Sequence, residues 1–431
     1  MKARERHISL VKFAILITVY RLSLDFIYLN VISPIWDYQH FVTHVDHNML
    51  LLSYLWIVGF VLFDRKLCID RKPSSILLLF IDMMFFIPLS SFMPLAGVSF
   101  SFFIYCVLYW LLVVFFQHKL FKKEPNVKIC EETRTPNDFF LFVSVIIIVF
   151  NFLLTVSYFG FHIKLDLNDI YDIRGDVKDM NLPGLVSYVK MIASPVTLVT
   201  LLVFIIRKKY NWVALLSIIQ LSSFAFGAHK SDFFGLILAY CIGFLYKSKK
   251  LNIVVYAFIF FNLIALIEYF SYGYSAVSVV YHRRVLFMPP LLSNAYYEFF
   301  STHELVFLRE SFLRHLGFHS PYDLLIPQLI GNELYGTDAN CNTGIIGDDF
   351  AQFGWFSLLV FPFLRYLVMR LYDSVVSIYD WRVALCLGSL YAGTFIAGSF
   401  FSGLLSGGFL IICFLLYFAN KNKSVYITVF H

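Results

Sequence analysis

The amino-acid sequence predicts an all-α membrane protein, a polytopic helical bundle. Hydrophobic residues make up 59% of the 431 residues and charged residues only 14%, a balance typical of chains whose helices face lipid. The apolar residues fall into successive stretches of about 20 residues, the length of helix that crosses a bilayer core. Because short polar segments separate these stretches, we expect residues 1–431 to form a single integral membrane domain.

Twelve apolar stretches are predicted to span the membrane, with ends defined to within about 2–4 residues. They are residues 9–30, 47–63, 75–93, 97–116, 137–160, 184–206, 211–227, 232–246, 251–272, 351–369, 383–400 and 403–419. The first stretch follows a basic N-terminus without a small-residue cleavage pattern, so we expect it to be retained as a helix rather than removed as a signal peptide.

The distribution of Lys and Arg predicts the orientation, because cytoplasmic loops carry an excess of both. Most of the 34 Lys and Arg residues fall in the alternate segments that would be cytoplasmic, which are 1–11, 64–72, 117–134, 207–209, 247–250, 370–382 and 420–431. Loss of one helix would move a basic cluster to the wrong face. We therefore expect an even number of spans near twelve, with both termini in the cytosol.

Other global features exclude several classes of function. The net charge of +6 follows from the basic cytoplasmic loops and does not imply a nucleic-acid partner. Of the seven cysteines only Cys341 falls in a predicted outer loop, so an intramolecular disulfide there is excluded, and their spacing fits no metal site. No period of 20–50 residues repeats, which argues against a transporter built from inverted repeats.

The first sizeable outer loop covers residues 161–183 and places Arg174 among several aspartates. A guanidinium there can pair with a nearby carboxylate, or it can bind a phosphate with two hydrogen bonds. The aspartates lack the glycine and terminal glutamate of an EF-hand loop. We therefore expect no metal in this loop.

A short outer turn at residues 227–232 contains Lys230, next to the start of a helix. Two interpretations remain open. The lysine can extend towards the lipid headgroups. Alternatively, Lys230 and the amides of the following helix N-terminus can form an anion site.

The large outer loop, residues 273–350, opens with a basic motif that contains His282, Arg283 and Arg284. Adjacent residues on an α-helix point about 100° apart, so we expect one arginine to face the site and the other to face lipid phosphates. After two prolines, apolar residues recur at helical spacing over 291–316, which predicts helices in the interface plane that roof a cavity. The histidines farther along, His303, His315 and His319, have no metal-ligand spacing.

The loop closes with small and polar residues followed by two aspartates, Asp348 and Asp349, at the start of a predicted span. Capping of that helix by Asn342, Thr343 and the aspartates is one explanation. The other is that the amide and hydroxyl groups bind sugar hydroxyls while one carboxylate acts as a general base. Capping accounts for one aspartate and does not require two.

Charged residues also occur inside predicted spans, where they are costly and usually face a bundle interior or an aqueous cavity. Arg21 and Asp25 are four residues apart on the first helix, so they can neutralise each other, and we interpret them as structural. Asp82, Glu268 and Arg365 are the other members of this group.

The order of several motifs resembles that of the Wzy-type O-antigen (oligosaccharide repeat unit) polymerases. The motifs are Arg-Arg-Val-x-Phe-x-Pro from Arg283, Tyr-Tyr-x-Phe-Phe from Tyr296, Pro-Tyr-Asp around Tyr322, and Asn-Thr-Gly-x-x-x-Asp-x-Phe-Ala-x-Phe-Gly from Asn342. The segments around Arg174 and Lys230 are also similar to that family. The resemblance covers residues 165–370 and, through the topology, the rest of the chain.

The resemblance implies a GT-C-like glycosyltransferase of the bacterial inner membrane with its active site in the periplasm. It implies transfer of the growing glycan from undecaprenyl pyrophosphate to the terminal sugar of the next lipid-linked repeat unit, without a metal or a nucleotide cofactor. The implied partners are the undecaprenyl-pyrophosphate-linked oligosaccharide and membrane lipids. A chain-length regulator and a flippase are further expected partners, and nucleic acid is not.

The residues support roles in that chemistry. Fixed cations stabilise the charge that develops on a leaving pyrophosphate, and the candidates are Arg174, Lys230 and Arg284, followed by Arg283. The acceptor hydroxyl must lose a proton, for which Asp348 or Asp349 is the first choice and His282 the next. The candidate glycan-binding residues are Tyr322, Asn342 and Thr343.

Three other functions compete with this interpretation. A lipid-linked oligosaccharide flippase or transporter also has about a dozen spans, but the single dominant outer loop argues against two similar halves. An O-antigen ligase would use the same chemistry with a different acceptor. A membrane O-acyltransferase would require a histidine near the centre of a span, and no predicted span contains one.

Overall fold

The structure is a computed structural model, and it describes residues 8–119, 134–159, 184–227, 230–244, 250–311, 313 and 316–420. Within these ranges the chain is helical and contains no strand. The predicted outer loop 161–183, with Arg174, lies outside the described residues, as does His315. The chain divides into two compact units, the first of which comprises Met1–Glu124, Lys250–Arg370 and Ala392–Phe401. The second comprises Pro125–Lys249, Leu371–Tyr391 and Ser402–His431.

The helices follow one another with short connections. The first half of the chain contains α1 (Leu10–Ile27), π1 (Tyr28–Ile32), α2 (Ser33–Trp36), α3 (His47–Asp70), α4 (Pro73–Ile81), π2 (Asp82–Phe86), α5 (Ile87–Ala96), α6 (Phe100–Lys119), α7 (Asp138–Phe159) and α8 (Gly184–Ile206). The second half contains α9 (Tyr210–Gly227), α10 (Lys230–Phe244), α11 (Asn252–Tyr272), π3 (Ser278–Phe287), α12 (Met288–Phe300), α13 (Ile326–Tyr335), α14 (Gly347–Phe353), α15 (Ser357–Val376), α16 (Trp381–Ala397), α17 (Phe400–Leu404) and α18 (Phe409–Phe418).

Helices overlap all twelve predicted spans. Within the described part of the chain, seven helical stretches are long and apolar enough to cross a membrane: Pro73–Ala96, Phe100–Gln117, Asp138–Tyr158, Tyr188–Ile206, Asn252–Tyr272, Gly347–Val376 and Phe400–Phe418. Three more apolar helices are shorter: Tyr210–Ser222, Phe233–Phe244 and Trp381–Ala397. The prediction of a helical chain is therefore confirmed for the described residues, and the seven apolar helices are consistent with a membrane-embedded protein, whereas the count of twelve spans stays a prediction.

Local sequence signals set the ends of the helices. Asp46 precedes α3, and its side chain accepts hydrogen bonds from the amides of Asn48 and Met49 at 2.9 and 3.0 Å, which satisfies two of the donors that a helix start leaves free. Arg71 ends α3 in the left-handed conformation. Pro73 then occupies the first turn of α4, where its missing N–H costs nothing.

The first unit encloses a polar network around a fully buried arginine. Arg21 forms the predicted ion pair with Asp25, and its remaining donors reach the hydroxyl groups of Ser90 and Ser53 at 3.2 and 3.1 Å. The Tyr54 hydroxyl donates to the same aspartate at 2.7 Å. Because a buried charge is tolerated only when it is paired and hydrogen-bonded, this network ties α1 to α3 and α5.

Three π-helical segments lie in the first unit, and π1 and π2 both pack against π3. The ring centroids of Tyr28 in π1 and Phe287 in π3 are 5.2 Å apart. π-Helical turns are rare and occur mostly as single turns, often at functional sites. In π3 the pattern extends over ten residues, so the helix that carries Arg283 and Arg284 departs from α-helical geometry throughout.

Candidate functional site

The segment π3 gives its three basic residues different environments. His282 and Arg283 are buried, with exposed fractions of 0% and 6%, while Arg284 is exposed. The two adjacent arginines therefore differ in burial, while the expectation that one faces the site and the other faces lipid phosphates stays a prediction. The amide of Met288 donates to the carbonyl of Arg283, five residues back, which sets the directions of the neighbouring side chains.

Arg283 is held by residues from the chain segment that follows α1. Its Nη1 donates to Oε1 of Gln39 at 2.6 Å, and its guanidinium carbon lies 3.8 Å from the centroid of the Trp36 ring. A cation over an indole face is stabilised by the ring quadrupole. The side chain is thus fixed against the protein, and Arg284 is the arginine of the pair whose guanidinium is accessible.

His282 lies inside the first unit. Its Nε2 is 2.9 Å from Oδ1 of Asn262, and Nδ2 of Asn262 donates to the Ser23 hydroxyl at 2.6 Å. Burial lowers the pKa of His282 to about 3, because burial disfavours the charged imidazolium. His282 therefore connects π3 to α11 and α1 as a buried, neutral group, and its role as a base stays a prediction.

A tight turn precedes the aspartates and is pinned to the end of α16. The amides of Gly344 and Ile345 donate to the carbonyls of Ile396 and Phe395 at 2.8 and 3.2 Å. A Cβ atom at residue 344 would lie only 2.1 Å from two backbone oxygens, those of Phe395 and Gly398. Glycine is therefore required at this position.

The last residue of the turn is strained. Ile346 has φ 75° and ψ −68°, and the amide of Gly347 donates to the carbonyl of Ile345 at 3.0 Å, which is the geometry of the rare, strained γ-turn. A β-branched residue at positive φ is a true outlier and costs on the order of 1–3 kcal/mol. Helix α14 begins immediately afterwards, so this turn sets the direction in which Asp348 and Asp349 point.

Asp349 belongs to a buried ion-pair network. Its Oδ2 accepts hydrogen bonds from the Tyr109 hydroxyl at 2.5 Å and from Nη2 of Arg365 at 2.7 Å. The Nε of Arg365 donates to the same tyrosine oxygen at 2.9 Å. Exposed fractions of 0% for Asp349 and 5% for Arg365 place this ion pair in the interior of the first unit.

Asp348 is the more accessible carboxylate of the pair. It is partly exposed, and its Oδ1 accepts a hydrogen bond from Nε2 of Gln352 at 3.2 Å. The Oε1 of Gln352 in turn accepts from the amide of Leu308 at 2.8 Å. This contact joins one turn of α14 to the segment after α12 and leaves acceptor capacity on the Asp348 carboxylate.

The segment between α12 and α13 lies along α14. The amides of Val306 and Phe307 donate to the carbonyls of Ala351 and Gln352 at 2.9 and 3.1 Å, so these two residues satisfy carbonyls at the end of α14. Farther along, the two oxygens of Glu310 accept from the Ser320 hydroxyl and the Ile326 amide, both at 3.1 Å. This segment therefore covers the helix that carries Asp348.

The three predicted glycan-binding residues differ in accessibility. Asn342 is exposed, whereas Thr343 is buried, with its hydroxyl 3.2 Å from that of Ser293. Tyr322 is partly exposed, and its hydroxyl donates to the carbonyl of Glu304 at 2.7 Å. Asn342 and Tyr322 keep polar groups at the surface of the first unit, while Thr343 stabilises the turn.

The predicted cations and carboxylates are brought together only in part. Helix α12 packs against both π3 and α14, so Arg284 and Asp348 lie on elements that flank the same helix. Lys230 begins α10 in the second unit, and the structure does not describe its side chain. Arg174 lies outside the described residues.

Sequence reasoning missed several residues of this region. Gln352 lies four residues after Asp348, a spacing that brings side chains together on a helix, and this signal was available. No local signal links Tyr109 to Asp349 or Trp36 to Arg283, because these partners are separated by 240 residues or more along the chain. Among the described residues, no group of three His, Cys, Asp or Glu side chains could hold a metal ion.

No protein-family model, no curated protein and no solved structure matches the chain.

Proposed function

We propose that the chain is a glycosyltransferase that polymerises lipid-linked oligosaccharide repeat units. The growing glycan would move from undecaprenyl pyrophosphate to the terminal sugar of the next lipid-linked unit, as the resemblance to the O-antigen polymerases implies. The apolar helices support this proposal, since both substrates carry a membrane-embedded lipid. The proposed topology has about twelve spans in the bacterial inner membrane, with both termini in the cytosol and residues 273–350 in the periplasm.

The observation that carries the proposal is that an exposed cation and a partly exposed carboxylate lie on two elements that both pack against α12. Arg284 is exposed on π3, and Asp348 is partly exposed at the start of α14. Arg284 follows the buried Arg283, and Asp348 precedes the buried Asp349. Both buried side chains are held by hydrogen bonds to other parts of the first unit. A buried neighbour of this kind can fix the helix that carries the accessible group, which is the arrangement that a preorganised active site requires.

These groups have defined roles in the proposed transfer. The acceptor hydroxyl oxygen attacks the anomeric carbon of the donor sugar, while the bond from that carbon to the pyrophosphate oxygen breaks. Asp348 accepts the hydroxyl proton, and the lipid pyrophosphate leaves with the bonding electron pair. Arg284 stabilises the charge that accumulates on the leaving group. Arg283 and Asp349 are positioning residues in this scheme, and Asn342 and Tyr322 offer polar groups to the glycan.

The proposed reaction uses neither a metal ion nor a nucleotide cofactor. Arg174 and Lys230 remain proposed contributors to pyrophosphate binding, on the basis of the sequence alone. An O-antigen ligase would use the same donor chemistry, so the acceptor supplied in an assay distinguishes the two enzymes. The proposed partners are a flippase that delivers repeat units and a regulator of chain length.

The test uses the purified full-length chain supplied only with lipid-linked repeat units. We expect a glycan ladder on a gel, and we expect Arg284→Ala and Asp348→Asn each to abolish it while the proteins remain folded. Asp338→Asn is the matched control, because Asp338 is an exposed carboxylate in the same loop.

Two results would contradict this assignment. A normal ladder from Arg284→Ala or Asp348→Asn would remove that residue from the site. Movement of repeat units across a vesicle membrane without their joining would instead support the flippase alternative.

A further inference from the structure

The second unit contains a cavity of about 350 Å³ at one end of its helices. Its walls come from the turn between α8 and α9, the end of α10, the start of α16 and the segment before α7. The cavity is lined by apolar residues and by a second group of six residues: Thr135, Arg207, Lys208, Tyr210, Gly243 and Arg382. Three of these six residues are cationic. None of these lining residues is among the candidate site residues described above, and Arg284 and Asp348, which carry the proposed function, belong to the first unit.

Arg382 forms a fixed part of the cavity wall. Its Nε and Nη2 donate to the two oxygens of Asp380 at 3.0 and 2.9 Å, and Nη1 donates to the carbonyl of Gly243 at 3.2 Å. These contacts use three of the five guanidinium donors. A Cβ at residue 243 would lie 2.8 Å from Cγ2 of Ile205, so the glycine allows α10 to approach α8 closely and places its carbonyl beside Arg382.

Arg207 is held in the same manner on another wall of the cavity. Its Nε donates to the Thr135 hydroxyl at 3.0 Å, Nη1 to Asp138 at 2.7 Å and Nη2 to the carbonyl of Pro136 at 2.5 Å. These three contacts leave two of the five guanidinium N–H donors of Arg207 unused. The two arginines are thus preorganised, so little side-chain entropy would be lost when their free donors bind a ligand.

Lys208 supplies the third positive charge. It lies in the turn between α8 and α9 with φ 56°, a backbone conformation that non-glycine residues rarely adopt. Its side chain is exposed and makes no hydrogen bond or ion pair with the residues that the structure describes. This left-handed residue follows the end of α8, and its exposed side chain lines the cavity.

Among the residues that the structure describes, the charges around the cavity do not cancel. Asp380 is buried and neutralises Arg382, while the Asp138 side chain that contacts Arg207 is 92% exposed and therefore screened by solvent. Lys208 has no such partner. The cavity therefore has an excess of positive charge together with free N–H donors, which favours a ligand with several negatively charged oxygen acceptors. Phosphate esters fit this requirement, and arginine binds them with two hydrogen bonds at a time.

The mouth of the cavity has the character of a membrane interface. Tyr210, Trp212 and Phe244 lie at the ends of α9 and α10 and are 57%, 44% and 62% exposed. Tyr and Trp concentrate where a helix leaves the hydrocarbon core, which is also the depth of the lipid phosphates. The basic cluster at 207–209 assigns this end of the helices to the cytosol in the predicted topology.

We propose that this cavity binds the phosphate group of an anionic phospholipid from the cytosolic leaflet. Arg207 and Arg382 hold the phosphate oxygens with their unused donors, and Lys208 closes over the headgroup. The acyl chains lie along the apolar faces of α9 and α10. Basic pockets at the cytosolic ends of membrane helices recognise anionic headgroups in this way.

The test measures lipid binding by the purified full-length chain in detergent. Short-chain phosphatidylglycerol and phosphatidylcholine are titrated separately, and bound lipid is counted by native mass spectrometry. We expect saturable binding of phosphatidylglycerol and at least tenfold weaker binding of phosphatidylcholine. Each basic residue near an anionic headgroup contributes about 1 kcal/mol, so Lys208→Gln should weaken binding about fivefold.

Lys209→Gln is the matched control, since Lys209 is the exposed neighbour of Lys208 and does not line the cavity. We expect its affinity for phosphatidylglycerol to equal that of the wild type. Arg207→Gln with Lys208→Gln should weaken binding about 25-fold if the two contributions of about 1 kcal/mol add. Arg382 is left intact, because its loss would leave Asp380 buried without its partner.

A parallel titration with inorganic phosphate separates a lipid site from a site for soluble phosphate. If phosphate binds with the same dependence on Lys208 and phosphatidylglycerol does not, the lipid proposal is overturned in favour of a soluble anion. If the two lysine variants lose affinity equally, or if phosphatidylcholine binds as well as phosphatidylglycerol, the cavity does not select the headgroup and the proposal is also overturned.

Discussion

Replacing Asp349 by Asn removes the charge that compensates a buried guanidinium, and it is the sharpest test of the candidate site. Arg365 is 5% exposed and its Nη2 donates to Asp349 at 2.7 Å. Removing one partner of a buried ion pair typically destabilises a protein by about 3–5 kcal/mol. We therefore expect Asp349→Asn to lower the free energy of unfolding by this amount. The Tyr109 hydroxyl does not compensate for the lost charge because it is neutral.

Asp348→Asn is the matched control for stability. Asp348 is partly exposed and accepts a single hydrogen bond, from Gln352 at 3.2 Å, and the Asn side chain retains an acceptor oxygen. We expect a stability change of less than about 1 kcal/mol. The two neighbouring substitutions should therefore separate, with Asp349→Asn losing stability and Asp348→Asn losing activity.

The assay follows thermal inactivation of the purified protein in detergent, because membrane proteins often unfold irreversibly and a half-life at fixed temperature is then the defined quantity. The fraction that remains monodisperse after heating is measured by size-exclusion chromatography. We expect the half-life of Asp349→Asn to fall at least about tenfold. A tenfold change in rate corresponds to a barrier lower by about 1.4 kcal/mol, which is less than half of the expected loss of stability.

A second substitution tests whether the loss comes from the unpaired charge. Arg365→Met in the Asp349→Asn background removes the buried guanidinium, and replacement of both partners of a buried pair is often close to neutral. We expect the double variant to be more stable than Asp349→Asn alone. Equal half-lives for Asp348→Asn and Asp349→Asn, or no recovery in the double variant, would refute the assignment of Asp349 as a structural residue.

Three further predictions concern the turn before α14 and the buried histidine. Gly344→Ala should disrupt the turn, since its Cβ would lie 2.1 Å from two carbonyl oxygens. Gly273→Ala is the control: a Cβ there meets open space, so it should lower the free energy of unfolding by only about 1–2 kcal/mol. Thermal inactivation measures both variants. Ile346→Ala removes a fully buried side chain and should cost about 2–5 kcal/mol, whereas Ile346→Gly, which also relieves a strain of about 1–3 kcal/mol, should lose no more than the alanine variant, and a clearly larger loss in the glycine variant would contradict the strained turn. Stability measured between pH 6.5 and pH 3 should fall as the pH falls, by up to about 1.4 kcal/mol per unit, and His282→Gln should flatten this slope.

The direction of the pH effect follows from proton linkage. The pKa of His282 is lowered to about 3 in the folded chain, whereas an unfolded histidine has a pKa near about 6.5. Between these values the unfolded chain binds more protons, so the free energy of unfolding increases with pH. The contribution is complete above the unfolded pKa and is lost as the pH falls towards the folded pKa. Stability that is independent of pH in this window would contradict the burial of a neutral imidazole.

The positions of the helices were largely predictable from the sequence, because charge and hydropathy change sharply at their ends. The predicted span 184–206 coincides with α8, and 211–227 differs from α9 by one residue. The turn between them contains three basic residues, so both boundaries are marked. The predicted span 9–30 is less regular, since it includes α1 and part of π1. The apolar pattern does not distinguish these two kinds of helix.

The π-helical geometry was not predictable, because it depends on packing between distant parts of the chain. The elements that pack against π3 include π1, π2 and α5, and no local sequence pattern predicts these contacts. The sequence did predict that Arg283 and Arg284 would differ. It did not predict which arginine would be buried, since Trp36 and Gln39, which hold Arg283, lie 247 and 244 positions earlier in the chain.

The contrast between the two aspartates shows how a local strain can divide roles between adjacent residues. Asp348 and Asp349 are the same type of residue, so the direction in which α14 starts decides which of them faces Arg365. That direction is set by the γ-turn at Ile346 and by the contacts of Gly344 with the end of α16. The ion pair of Asp349 stabilises the same geometry from the buried side. Strain in the turn is therefore balanced by a buried charge pair, and the consequence is a partly exposed carboxylate at a fixed position, which a general base requires.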